Sequence, residues 1–241
     1  MPAPKRTDPV VLRDGAITAL VVRRGQADRI GVHLEGRFAF HLSAVVVDRA
    51  GLRAGDPLSA DRQRELLEED EPYRARERAL RFLGVRDRSQ REVDTRLRQV
   101  GFLPEVIGET VVWLKSLDYL NDRRFAAAYA SEKQRIGWGS RRIRAELAGK
   151  GVDRSVIDEV LEIQDGAGSA GAMEGAGALE QTVRRRFSSQ FATDPQAAER
   201  RLAGFLARRG YDWDTIGRMA RTLRAEAADA ASAKPGSPSV P

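Results

Sequence analysis

The 241-residue chain contains no cysteine, so disulfide staples and thiolate metal sites are excluded. Its two histidines leave little material for a zinc site or a histidine-based triad. Aromatics make up only 6% of the residues, which calls for an aliphatic core. No apolar run approaches the roughly 20 residues of a membrane helix, and MPAPKRTDPV lacks the apolar stretch of a signal peptide. A cytoplasmic protein with no membrane contact is therefore expected. There is no Walker A sequence. Gly166–Gly171 spells G-x-G-x-x-G, but it follows a helical pattern in a half of the chain without strand signals. It reads as linker rather than as a dinucleotide loop.

Charge is abundant, and the basic residues are nearly all arginine. Lys+Arg number 41 against 35 Asp+Glu, a net charge of +6. Residues 1–70 are neutral, with 11 basic and 11 acidic side chains. Residues 71–165 carry 19 basic and 16 acidic, and residues 181–224 carry 10 and 4. The positive field grows toward the C-terminal third, which suits either an anionic partner or a solvated face.

Three prolines in residues 1–14 give a loose start. Residues 15–70 read as a small α+β module. Ile17, Ala19 and Val21 alternate, as do Ile30, Val32 and Leu34, and then Phe38, Phe40 and Leu42. Glu35-Gly36 suits a tight hairpin. Ser43 is placed to cap a short helix. Ser59 or Asp61 opens an acidic helix that runs to about Asp70, with a break expected near Pro72. His33 and His41 are read as surface strand residues.

Beyond Pro72 the pattern is helix, turn, helix, and it repeats. Val93, Leu97, Gly101, Phe102 and Ile107 recur as Ile143, Leu147, Gly151, Val152 and Ile157, then as Leu202, Leu206, Gly210, Tyr211 and Ile216. Four-residue spacing puts the first two apolar side chains on one helix face, and the glycine closes the helix in a left-handed cap. Ser89-Gln-Arg-Glu92 is a capping box. Ser140, Asp153 and Asp194 are candidate N-caps, and Pro104 and Pro195 suit first helical positions. A helix at about 72–86, 122–136 or 179–191 precedes each pair.

The expected fold is mainly α: an elongated, curved array of three tandem three-helix repeats behind the small α+β module. Its divisions are a flexible 1–14, the module at 15–70, repeats at 72–117 and 118–164, a Gly/Ala-rich linker at 165–178, a third repeat at 179–226, and a disordered tail at 227–241.

No pair of carboxylates suggests acid–base catalysis, so a non-enzyme without cofactor or metal is expected. The basic clusters carry the functional signal. Arg91, Arg96 and Arg98 lie on the middle helix of the first repeat. Arg141, Arg142 and Arg144, with Lys150, lie on that of the second. The third repeat has Arg184, Arg185 and Arg186 on its first helix and Arg200, Arg201, Arg208 and Arg209 on its second. Core residues such as Ile143 and Leu147 must face inward, which turns these guanidinium groups outward. Equivalent positions on stacked repeats could line one groove for phosphates or an acidic protein surface. Trp138, in Gly137-Trp138-Gly139, is a candidate contact residue. Trp113 and Trp213 read as packing residues.

The stretches ALRFLGVRDRSQREVDTRLRQVGF, LDYLNDRRFAAAYASEKQRIGWGSRRIRAELAGKGV and RRLAGFLARRGYDWDTI resemble the RecX family, bacterial regulators of the RecA recombinase. The middle stretch is the most specific, joining Leu120-Asn121-Asp122-x-Arg124-Phe125 to Gly137-x-Gly139-x-Arg141-Arg142-Ile143. The resemblance implies a three-helix-repeat crescent that docks in the groove of the RecA–DNA filament. There it would modulate filament growth, ATP hydrolysis and strand exchange, usually as an inhibitor. It implies a monomer acting in homologous recombination, DNA repair and the SOS response, with direct weak binding to single- or double-stranded DNA in some members. Two alternatives stand beside it: a DNA-binding protein that merely competes for DNA, and, more remotely, a nuclease.

Overall fold

The computed structural model describes residues 12–23, 26–166 and 170–232. The chain divides into two compact units, Met1–Leu120 and Asn121–Pro241.

The first unit begins with β1 (Gly15–Arg23), β2 (Gln26–Leu34), β3 (Arg37–Ser43), helix α1 (Ala44–Arg49) and the short β4 (Pro57–Leu58). The antiparallel sheet has the order β3-β2-β1-β4. Glu35 and Gly36 form the two-residue hairpin turn, with φ of 49° and 76°, the left-handed pair a primed turn requires. The apolar alternation is broken by two of the sheet's three register shifts. One, between Ile17 and Ala19, leaves Ile17 buried but moves Leu20 to the core side and exposes Val21. The other, between Val32 and His33, keeps Phe40 and Leu42 inside and turns Phe38 out, where its ring meets those of His33 and His41. A single extra residue reverses every side chain beyond it.

Ser43 occupies the N-cap position of α1, yet its side chain does not cap that helix. Its Oγ accepts from Arg29 Nη1 at 3.0 Å, and its backbone N–H donates to Asp70 Oδ1 at 2.7 Å. Arg29 also donates to Asp70 Oδ2 at 2.9 Å, so a buried ion pair ties β2 and β3 to the next helix.

That helix, α2 (Ala60–Leu83), is capped by Ser59 and runs through Pro72 without stopping. The break expected at Pro72 is not made. Proline forfeits one backbone hydrogen bond and crowds the preceding turn, a cost of about 3 kcal/mol. Burial of Leu66, Ala75 and Ala79, together with the Asp70 anchor, holds the helix on both sides of it. Because α2 crosses residue 71, no linker separates the module from the first repeat.

The first repeat adds α3 (Gln90–Val100) and α4 (Pro104–Ser116). The second consists of α5 (Asp122–Arg135), α6 (Ser140–Gly149) and α7 (Arg154–Gly166), and the third of α8 (Ala170–Thr193), α9 (Pro195–Arg209) and α10 (Trp213–Ser232). The third helix of each repeat packs on the first: α4 on α2, α7 on α5 and α10 on α8. Each repeat buries its own apolar cluster. These centre on Val93, Leu97 and Leu114, on Ile143, Leu147 and Leu161, and on Leu202, Leu206 and Phe191.

The repeat glycines Gly101, Gly151 and Gly210 have φ of 99°, 79° and 85°. After each, the next backbone N–H returns to the carbonyl five residues back: Phe102 to Leu97, Val152 to Leu147 and Tyr211 to Leu206. This left-handed helix stop recurs at the same place in all three units. The Ser89–Glu92 capping box and the Asp194 cap are formed.

Three boundaries differ from expectation. Gly139, not Ser140, is the N-cap of α6. Residues 170–178, read as flexible linker, belong to α8, as their alanines permit. Helix α10 continues to Ser232, past the expected start of the tail. Residues 1–11, within the expected loose start, and 233–241 lie outside the described residues.

Candidate functional site

The arginines singled out from the sequence fall into three groups. Some are held by a side-chain partner. Arg98 pairs with Asp94 at 2.6 Å, Arg144 with Asp158 at 3.0 Å, and Arg184 with Glu226 at 3.0 Å. Arg201 donates to Gln190 at 3.1 Å.

A second group lies over aromatic rings. Arg142 sits 3.7 Å from the Trp138 ring centre and Arg209 3.9 Å from that of Phe205. Arg186 also faces Phe205, at 5.0 Å. Such stacking holds the flat guanidinium in one orientation with its N–H edges free. The third group, Arg91, Arg96, Arg141, Arg185, Arg200 and Arg208, makes no ion pair among the described residues.

The tertiary structure joins members of the last two groups across repeats two and three. The N–H of Gly139 donates to the carbonyl of Arg209 at 2.8 Å, and the N–H of Arg141 to that of Gly210 at 3.1 Å. Helix α6 has no side-chain cap; its first donors are satisfied by the last carbonyls of α9. The contact is backbone on backbone. A Cβ at Gly139 would overlap the Gly210 carbonyl, and one at Gly210 would overlap the backbone and Cβ of Arg142. The positive end of α6 meets the negative end of α9, so the two helix dipoles cancel there. Arg141, Arg142, Arg208 and Arg209 therefore sit on chain segments that touch, and no carboxylate pairs with any of the four among the described residues.

Trp138 packs one face on the second core, and both Arg142 and Lys133 approach its ring, Lys133 at 5.5 Å. The Lys133 and Lys150 ammonium groups lie 5.0 and 5.4 Å from the Tyr129 ring centre. Burial pushes the Tyr129 hydroxyl pKa up, and the nearby Glu146 carboxylate adds to the rise. Arg142, Glu146 and Lys150 follow one another at four-residue spacing along α6. With Ala145 and Gly149 they line an open depression of about 410 Å³.

Trp113 packs in the first core under Arg76, at 5.0 Å. Trp213, expected to pack, is instead 66% exposed at the start of α10. The neighbouring Tyr211 packs, partly buried, against the third core, and this desolvation pushes its pKa up to about 12. The repeat register assigns the post-glycine residue to the core, and that residue is Tyr211.

Sequence reading missed the cation–ring contacts of the first repeat, Arg74 on Phe102, Arg76 on Trp113 and Arg88 on Phe82. It also missed the joint between repeats two and three. Glycine at both 139 and 210 was the available signal.

These features define a protein built of tandem three-helix repeats with arginine-rich, largely unpaired helix surfaces. Residues 75–114, 121–161 and 176–219 match the first, second and third three-helix domains of RecX. The regulatory protein RecX of Clostridium acetobutylicum is 27% identical over 218 residues, covering 89% of this chain and 99% of that protein. That of Bacillus subtilis is 35% identical over 146 residues, 60% of this chain and 55% of its own. A crystal structure of regulatory protein RecX superposes with a TM-score of 0.63 at 20% identity, over 86% of this chain and 99% of that one. RecX from Lactobacillus salivarius gives 0.56 at 21% identity, over 65% and 99%. The chain belongs to the RecX family of regulatory proteins.

Among the described residues no helix is long and apolar enough to cross a membrane, and no cluster of three or more His, Asp or Glu could hold a metal ion.

Proposed function

We propose that this protein regulates the RecA recombinase as an inhibitor, by binding in the groove of the RecA–DNA filament. It acts there as a cytoplasmic monomer by contact rather than by catalysis, and it modulates filament growth, ATP hydrolysis and strand exchange. The supporting observation is the match of all three repeats to a family of regulatory proteins, with nearly full coverage of the Clostridium acetobutylicum relative. The unpaired arginines on repeats two and three supply a surface for an anionic assembly.

The test is RecA's DNA-dependent ATP hydrolysis on preformed filaments, titrated with this protein, beside binding of the protein alone to the same DNA at the same salt. Inhibition below the concentration at which free DNA is bound supports the reading. Inhibition that appears only where free DNA is already bound turns it into competition for DNA. No effect on hydrolysis refutes it.

A further inference from the structure

We infer that the open face of the N-terminal sheet is where two copies of this chain pair in free solution, sheet against sheet. The inference goes beyond the filament reading and uses no residue of repeats two and three. It concerns the free protein, before a single copy acts on the filament.

The face is built by strand register. Helices α1 and α2 cover the side of the sheet that holds Val32, Phe40 and Leu42. On the other side β1, β2 and β3 bring two rows together: Ala19, His33 and Phe38, then Val21, Gly31 and His41. None of the six is Asp, Glu, Lys or Arg, in a chain with 32% charged residues. Arg29, the next outward position of β2, is drawn away to Asp70. An antiparallel sheet with one face in water ordinarily sets polar residues on that face. Here Val21 is 49% and Phe38 53% exposed.

Phe38 is held ready for a partner. Its ring meets that of His33 edge-on at 5.8 Å and that of His41 at 4.7 Å. It leans over Gly31, where a Cβ would come within 3.7 Å of the ring. A ring fixed in this way loses little freedom on binding.

Relief and charge choose the occupant. The β3 side of the face is high, with Phe38 and His41, and the β1 side is low, with Ala19 and Val21. A twofold axis along the strands lays the high side of one copy over the low side of the other, so the face is complementary to itself. Residues 1–70 balance 11 basic against 11 acidic side chains, and the net charge of +6 lies beyond them. Two copies of the module therefore approach without net repulsion, whereas an anionic partner finds nothing on this face to hold it.

Sedimentation velocity of the full chain across a wide concentration series reads the pairing. The face is small beside a standard interface, so half-association is expected at roughly tens of micromolar. It should persist in about 0.5 M NaCl, which screens charge and leaves apolar contact intact. Val21→Lys/Phe38→Lys sets like charges against one another across the axis and should raise the dissociation constant by roughly tenfold or more. Val85→Lys, at a 77% exposed apolar position outside the sheet, should leave it unchanged. A second measurement does not depend on the lysines being tolerated. The chain has no cysteine, so Val21→Cys and Val85→Cys each carry one thiol. A short bis-maleimide should join Val21→Cys into dimers and leave Val85→Cys as single chains.

A single species at every concentration would overturn the inference and leave the face to a different protein. Loss of the pairing in NaCl would overturn it by assigning the contact to charge. Equal weakening by Val85→Lys, or equal cross-linking of the two cysteine variants, would overturn it by removing the sheet face from the contact.

Discussion

Replacing Gly210 by alanine tests whether repeat three is fixed to repeat two by backbone contact. The matched control is Gly101→Ala. Both glycines close equivalent helices with φ near +90°, at 85° and 99°. Each alanine therefore incurs the same left-handed cost, roughly 1–2 kcal/mol. A Cβ at Gly101 meets nothing within 4 Å, whereas one at Gly210 overlaps Arg142. Relieving that overlap separates the chains and breaks the bonds Gly139–Arg209 and Arg141–Gly210. Losing two net hydrogen bonds costs about 2 kcal/mol, and more if the freed N–H groups stay dry. Gly210→Ala should thus cost about 2–4 kcal/mol more than Gly101→Ala. Native-state hydrogen exchange followed by NMR reads this locally. The Gly139 and Arg141 amides should exchange at least roughly 30-fold faster in Gly210→Ala, while amides of α3 and α4 keep their rates. Equal costs for the two variants, or unchanged exchange at Gly139 and Arg141, would refute a rigid joint.

Asp70→Asn should destabilise the first unit by about 3 kcal/mol, since it leaves the buried Arg29 without its counter-charge. Hydrogen exchange in β2 and β3 reports the loss, and Arg29→Met/Asp70→Leu should recover only part of it, since the buried Ser43 N–H then lacks its acceptor. Leu147→Ala, at a fully buried site, should cost about 2–5 kcal/mol in urea denaturation of the second unit. Tyr211 predicts an alkaline dependence. Its folded pKa of about 12 lies above the ordinary tyrosine value near 10, so the unfolded chain loses the proton first. The stability this contributes is complete below pH 10 and is lost between about 10 and 12; Tyr211→Phe should lack that decline in denaturation midpoints measured across the range.

The repeat was legible because its chemistry is local. Leu97, Leu147 and Leu206 mark buried faces by spacing alone, and the glycine four residues after each adopts the one conformation that other residues resist. The capping box at Ser89 and the hairpin at Glu35-Gly36 were readable for the same reason. Errors arose where a distant contact overrode a local signal. Pro72 looked like a helix end, but Asp70 is anchored from two strands. Ser43 looked like a cap, but its hydrogen bonds run to Arg29 and Asp70. Phe38 looked like core until a register shift turned it outward.

The arginine candidates divide along the same line. Sequence alone determined which helices carry them and that Ile143 and Leu147 force them outward, because helical periodicity depends on neighbours three and four residues away. It could not sort them, since neutralisation depends on what faces each one across 14 residues for Arg144 and Asp158, or 42 for Arg184 and Glu226. Nor could it place Arg141 beside Arg209, 68 positions later. Two glycines without side chains let those backbones meet, and that contact exists only once the repeats have packed.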